Sequence, residues 1–191
     1  MKRIILASSS PRRKQILEMI GLSFEVDPSK IAEKMDAKID HHLLAKQLSR
    51  QKARHVAEKY SNALVIAADT FIVCQNERLG KAHTAREIRR MLKKLSGRVH
   101  RVITGFTLIE KPSNKSLSDS VESQVSIKPL TDDDIEAYLK TKEPFEKAGG
   151  YAIQGYGALF VEKIAGDYFN IVGLPVYQLA KRLAEFGINV L

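Results

Sequence analysis

Residues 4–17 read IILASSSPRRKQIL, and this stretch decides the class of fold. Ile4 to Ala7 form a short apolar run, three serines and a proline follow, and Ile16, Leu17 and Ile20 then share one helical face before Gly21. The order is strand, loop, helix. Ser10 suits the cap position and Pro11 the first helical residue, where proline loses no needed hydrogen bond. Arg12 and Arg13 therefore fall in the first turn, where the helix dipole disfavours a cation by roughly 0.3–1 kcal/mol each. Two readings account for them. A bound phosphate turns the repulsion into attraction, with backbone N–H groups, serine hydroxyls and guanidinium forks donating to its oxygens. Alternatively, two solvated arginines on a capped surface helix tolerate so small a penalty.

The mixture of strands and helices continues along the chain. LSFEV (22–26) reads as a second strand, the polar segment around DPSKIAEKMD (27–36) as a loop holding Glu33, and HHLLAKQLSRQKARHVAEKY (41–60) as a long helix carrying Lys52. ALVIAADTFIVCQNERLGK (63–81) reads as a buried strand ending near Asp69, then a hairpin-like pair turning at QNER. In TAREIRRMLKKLSG (84–97), Thr84 and Glu87 match a capping box, Ile88, Met91, Leu92 and Leu95 form the apolar stripe, and Gly97 ends the helix. Two strands, VHRVITGFTLIE (99–110) and SDSVESQVSIKPL (118–130), flank the polar KPSNKS and suggest an antiparallel pair. Thr131 caps a helix over TDDDIEAYLK, the glycine-rich EPFEKAGGYAIQG leads to a strand near GALFVEKI, and LPVYQLAKRLAEFGI closes the chain as an amphipathic helix. This pattern predicts an α/β fold with a mixed sheet, and no repeat or linker divides residues 1–191 into separate domains.

Composition narrows the partners. The 191 residues carry a formal charge of +9, which favours anionic ligands: nucleotides, nucleic acid or acidic membrane surfaces. The single Cys74 excludes an intrachain disulfide and every multi-cysteine metal motif, which suits a reducing compartment, so the expected location is the cytoplasm. Ile4 to Ala7 is too short for a signal peptide's apolar core, and no run approaches the roughly 18 residues of a membrane span.

Several residues invite a chemical reading beside a plain one. Aspartate suits strand interiors poorly, and an unpaired buried carboxylate is expensive. Asp69 is thus expected at a strand end, facing a metal, a cation or an attacking water, unless it is a turn residue or half of a structural ion pair. Glu33 reads as a solvated loop glutamate unless it meets Asp69 around a divalent ion, for which oxygen ligands suit magnesium or manganese. Lys52 and Lys81 are two lysines among many; Gly80 permits a tight backbone beside Lys81. Gln154 in GGYAIQGYG is either part of a turn-rich connection or an amide able to read a base edge through paired donor and acceptor. P-loop spacing is absent, no zinc spacing occurs among the five histidines, and no G-x-S-x-G elbow supports serine catalysis.

LASSSPRR, Glu33, QKA with Lys52, AADT, LGKA, LSGRVHRVITG, EPFEKAGGYAIQG and GDYFNIVGLP occur in that order nearly end to end. In this series the chain resembles the Maf family of nucleotide pyrophosphatases. The resemblance implies a mixed, strongly twisted sheet flanked by helices, two lobes with a cleft, and frequently a homodimer. It also implies hydrolysis of a nucleoside triphosphate to monophosphate and pyrophosphate with a divalent cation (Mg, Mn or Co), a house-cleaning activity. By motif match, Ser8, Ser10, Arg12 and Arg13 would hold phosphates, Lys52 and Lys81 would neutralise charge, Glu33 and Asp69 would serve the metal and the attacking water, and Gln154 would help read the base. Arg12, Thr70 and Ile153–Gly155 are similar to the branch acting on dTTP, UTP and modified uridine triphosphates. Ala82, where the family usually has proline, and Glu146, where it usually has aspartate, depart from the pattern.

Two other functions fit parts of the sequence. A basic nucleic-acid-binding protein without catalysis would explain the net charge and the stretch REIRRMLKKLSGRVHR, although those charges also describe a solvated helix face. A purine pyrophosphatase, acting on inosine, xanthosine or 7-methyl-guanosine triphosphates, would keep the reaction and change the base.

Overall fold

The computed structural model describes residues 2–31 and 39–191. In chain order the elements are β1 (Ile4–Leu6), α1 (Pro11–Met19), β2 (Glu25–Val26), α2 (His41–Ala57), β3 (Ala63–Cys74), β4 (Glu77–Leu79), α3 (Ala85–Leu95), β5 (Val99–Lys111), β6 (Ser116–Ile127), α4 (Asp132–Lys140), a 3-10 turn (Gly155–Phe160), β7 (Val161–Ala165), α5 (Tyr168–Val172) and α6 (Val176–Ala184). The sheet has the order β2-β1-β3-β5-β6-β7, with β4 added to β3. It is mixed: β1 runs parallel to β2 and β3, while β4 is antiparallel to β3 and β7 to β6. The expected α/β class is therefore observed.

The chain forms two compact units, one of Met1–Asp69, Thr104–Val121 and Gly173–Leu191, the other of Thr70–Ile103 and Glu122–Val172. In the first, Ile5, Ala7, Val65 and Ala67 pack with Ala53, Val56 and Ala57 of α2. These facing residues are small, so the helix lies close to the sheet. Gly105 shows how close: a Cβ there would stand 2.1 Å from the Ala45 carbonyl oxygen of α2. A hydroxyl chain fixes the same contact, with Ser49 Oγ donating to Lys46 O at 3.0 Å, Thr107 Oγ1 2.8 Å from Ser49 Oγ, and Ser118 Oγ 2.9 Å from Thr107. Each such bond contributes about 1 kcal/mol.

The second unit has its own core, centred on Ile72, Ile88, Leu92 and Leu95 with Val102, Val125, Ile135 and Tyr138. The capping box of Thr84 and Glu87 forms as expected, and a second one joins Thr131 to Asp134. Three of the basic side chains on α3 pair with carboxylates: Arg89 with Glu136, Lys93 with Asp132 and Lys94 with Glu77. That face reads as a solvated helix surface with its own counter-charges.

The structure corrects two expectations. β3 does not end near Asp69 but runs on to Cys74, so Asp69 sits inside a continuous strand. Its carboxylate is tolerated there because a lysine pairs with it. The hairpin turns at Gln75 and Asn76, both with positive φ (51° and 62°), as a two-residue connection of this kind requires. In the second correction, GALF belongs to the 3-10 turn and only the following residues form β7.

Candidate active site

In the first unit, β1 lies between β2 and β3, with both neighbours parallel to it. The chain passes from β1 through α1 to β2 on one side and then from β2 through α2 to β3 on the other, so the carboxyl ends of β1 and β3 meet at a switch point, the usual place for a ligand in such a sheet. Ser8, Ser10 and the first turn of α1 follow directly from that end, and Asp69 lies where β3 continues past it.

Ser10 caps α1, its side chain accepting from Arg13 N. Ser8 is buried, and its Oγ accepts from Ser10 N at 3.2 Å and from Arg13 Nη1 at 3.1 Å. With both lone pairs engaged, the Ser8 hydroxyl keeps its hydrogen for donation. Arg12 is half-buried in the first turn of α1. Arg13 is bound to the protein's own oxygens: besides Ser8, Nη1 donates to Ala68 O at 2.8 Å and Nε to Gly173 O at 2.8 Å. Its charge at the helix start is thus offset by carbonyl oxygens, and it ties the serine loop to the residue preceding Asp69.

Asp69 is 3% exposed. One carboxylate oxygen, Oδ1, accepts from Lys52 Nζ, while the other, Oδ2, is buried without a hydrogen-bond partner among the described residues. Lys52 reaches it from α2, where Leu44, Leu48 and Val56 are buried at steps of four that include position 52. A lysine therefore occupies the core-facing stripe, a signal present in the sequence that singles Lys52 out among the lysines.

The orphaned Oδ2 is a hard, anionic oxygen donor of the kind a divalent cation prefers. Among the described residues no group of three or more His, Cys, Asp or Glu side chains gathers around one point. A single carboxylate still fits magnesium, which commonly takes one or two from the protein and the rest from phosphates and water. Glu33, the other expected ligand, lies outside the described residues.

In the second unit, Lys81 and Gln154 are both exposed. Lys81 pairs with Ala148 in an antiparallel bridge, extended by Ala82 N donating to Lys147 O, Glu146 N to Ala82 O, and Gly149 N to Gly80 O. Both departures from the family pattern fall in this ribbon. The Ala82 N–H makes a bond that proline lacks, and Glu146 lies 2.6 Å from His83 Nδ1. Gln154 immediately precedes the 3-10 turn, with its side chain unused for capping.

Upstream of Gln154, the buried Tyr151 hydroxyl lies 2.8 Å from His100 Nε2, and His100 Nδ1 has no hydrogen-bond partner among the described residues. Burial pushes His100 down to about 4 and the Tyr151 hydroxyl well above its usual value, so both are neutral near pH 7. The unfolded chain takes up a proton on His100 near pH 6.5 that the folded chain refuses until about 4, so this residue weakens the fold as pH falls between those values. Over that window the expected loss is about 3 kcal/mol. Urea midpoints measured at pH 7 and pH 4.5 check it: the wild type should lose more than His100→Gln, and equal losses would refute the assignment.

Residues 3–186 match the family described as Maf-like protein. The chain belongs to the Maf family. This Maf protein is 48% identical to the dTTP/UTP pyrophosphatase of Alkaliphilus oremlandii, with 100% of both chains covered. It is 49% identical to the one from Clostridioides difficile, over 98% of this chain and 97% of that one. Identity to the Carboxydothermus hydrogenoformans protein of the same name is 47%, over 97% of this chain and 99% of that one. None of its described helices is long and apolar enough to cross a membrane.

Proposed function

We propose that this protein hydrolyses dTTP, UTP and modified uridine triphosphates to the monophosphate and pyrophosphate with the help of a divalent cation, as a house-cleaning enzyme of the cytoplasm. The observation that carries the reading is the buried pair of Lys52 and Asp69, with one Asp69 oxygen unpartnered, in a family whose curated relatives bear that enzymatic name.

Phosphoryl chemistry depends mainly on positioning and charge neutralisation. The Ser8 hydroxyl and the Arg12 guanidinium at the start of α1 bind phosphate oxygens, while Ser10 and Arg13 hold that turn and the serine loop in place. Lys52 holds Oδ1 of Asp69, leaving Oδ2 as the acceptor for a proton from the attacking water. Asp69 and Glu33 would hold magnesium, manganese or cobalt, which would supply electrostatic stabilisation of the phosphate oxygens. Lys81 neutralises developing charge, and Gln154 reads the base edge through its paired amide donor and acceptor. The counter-charged face of α3 favours this reading over a nucleic-acid-binding one.

A panel of UTP, dTTP, CTP, ATP, ITP and 7-methyl-GTP tests base choice. UTP and dTTP should lead the ranking. Lys81→Ala should slow all substrates by about tenfold or more, consistent with loss of a charge-assisted contact worth about 1.5–3 kcal/mol. Gln154→Ala should compress the ranking with a smaller effect on kcat. Preference for a purine triphosphate would reject the pyrimidine reading, and a uniform effect from both variants would reject this division of roles.

A further inference from the structure

The segment before the 3-10 turn is glycine-rich, yet the residues flanking Gln154 are tied from both sides to one side chain. Glu143 Oε1 accepts from Gly157 N at 2.9 Å and from the Tyr138 hydroxyl at 2.8 Å, while Oε2 accepts from Tyr156 N at 2.9 Å. The Tyr138 oxygen in turn accepts from Ala152 N at 3.1 Å. One carboxylate thus holds the backbone two and three residues after Gln154 directly, and the backbone two residues before it through a buried tyrosine that is 2% exposed. Gly155 fits this arrangement: its φ is +82°, and a Cβ there would stand 2.2 Å from Glu143 Oε2.

We propose that Glu143 is a positioning residue for base discrimination, holding the Ala152–Gly157 backbone so that the Gln154 amide meets the pyrimidine at a fixed angle. The inference rests on the proposal that Gln154 reads the base. A carboxylate suits the task because each of its two oxygens accepts more than one hydrogen bond, and bonds to a charged acceptor are short and strong. Glutamine keeps the length but replaces one acceptor oxygen by a donor, so it leaves at least one of the backbone N–H groups facing another donor. The consequence for the enzyme is a loosened amide, which weakens selective binding more than the chemical step.

The test compares wild type, Glu143→Gln, Gln154→Ala and the double variant with UTP, dTTP and CTP. For Glu143→Gln the expected result is a rise in KM for UTP and dTTP of roughly tenfold, as loss of about 1.4 kcal/mol of uniform binding gives, with kcat within about threefold and a compressed preference over CTP. In the Gln154→Ala background the same substitution should compress the preference no further. Tyr138→Phe, which removes only one hydroxyl, should shift preference in the same direction by less, and it carries the test if Glu143→Gln does not fold. Altered ranking in Gln154→Ala but unaltered ranking in both Glu143→Gln and Tyr138→Phe overturns the role of Glu143 alone. Unaltered ranking in Gln154→Ala overturns the base-reading role and Glu143's action with it.

Discussion

Asp69→Asn should reduce turnover of UTP and dTTP on the order of 10^3-fold or more while the protein remains folded, the scale expected when a positioned proton acceptor is removed. Asparagine has almost the same volume, and its carbonyl oxygen can still accept from Lys52, so the packing around position 69 is conserved. What disappears is the negative charge, and with it the proton affinity and cation affinity of the oxygen that has no hydrogen-bond partner among the described residues. The same change removes the Asp69 charge from beside the ammonium of Lys52, whose side chain is 13% exposed. Some loss of stability is therefore expected, since removing one member of a buried pair leaves the other poorly solvated. Near-UV circular dichroism and the melting temperature separate that loss from the catalytic one. Activity within tenfold of wild type in a folded Asp69→Asn protein would remove Asp69 from the mechanism.

Gly105→Ala should cause a large stability loss in the first unit. The new Cβ would lie 2.1 Å from Ala45 O and 2.7 Å from Lys46 N, both main-chain atoms of α2. Neither is the end of a flexible side chain, so the strand and helix must separate. Overpacking typically costs 1–3 kcal/mol, and a clash against backbone belongs at or above about 3 kcal/mol. For a chain of this size that corresponds to a drop in Tm of about 6–12 °C. Displacement of α2 also carries Lys52 away from Asp69, so activity should fall more than the fraction of unfolded protein explains. A Tm within about 2 °C of wild type would mean that α2 and β5 pack more loosely than this contact requires.

The elements with strong local signals are legible in the amino-acid order alone. Ser10 with Pro11 marks the start of α1, Thr84 with Glu87 the start of α3, and Ile88, Met91, Leu92 and Leu95 give its buried face. In each case the deciding interactions lie within one or two turns, where sequence spacing is a direct measure of distance. The course of β3 through Asp69 is not legible in this way, because the partner that makes a mid-strand carboxylate tolerable comes from α2, 17 residues earlier. The 3-10 turn is hidden for the same reason: Glu143, which binds the N–H groups of Tyr156 and Gly157, is 13 and 14 residues from them in sequence. Arg13 is a mixed case. Its position at a helix start signals that an oxygen partner is needed, yet the carbonyls of Ala68 and Gly173 are brought to it only by the tertiary fold. Lys52 is legible in principle, since it falls in the stripe of Leu44, Leu48 and Val56.

The proposed activity is tested most directly by the products formed from UTP and dTTP with magnesium, manganese or cobalt, with pyrophosphate scored separately from orthophosphate. One pyrophosphate released per monophosphate, without orthophosphate, abolished by chelation and restored by the metal, is the expected result. Release of orthophosphate with a nucleoside diphosphate, or no turnover with any of the three metals, would contradict it.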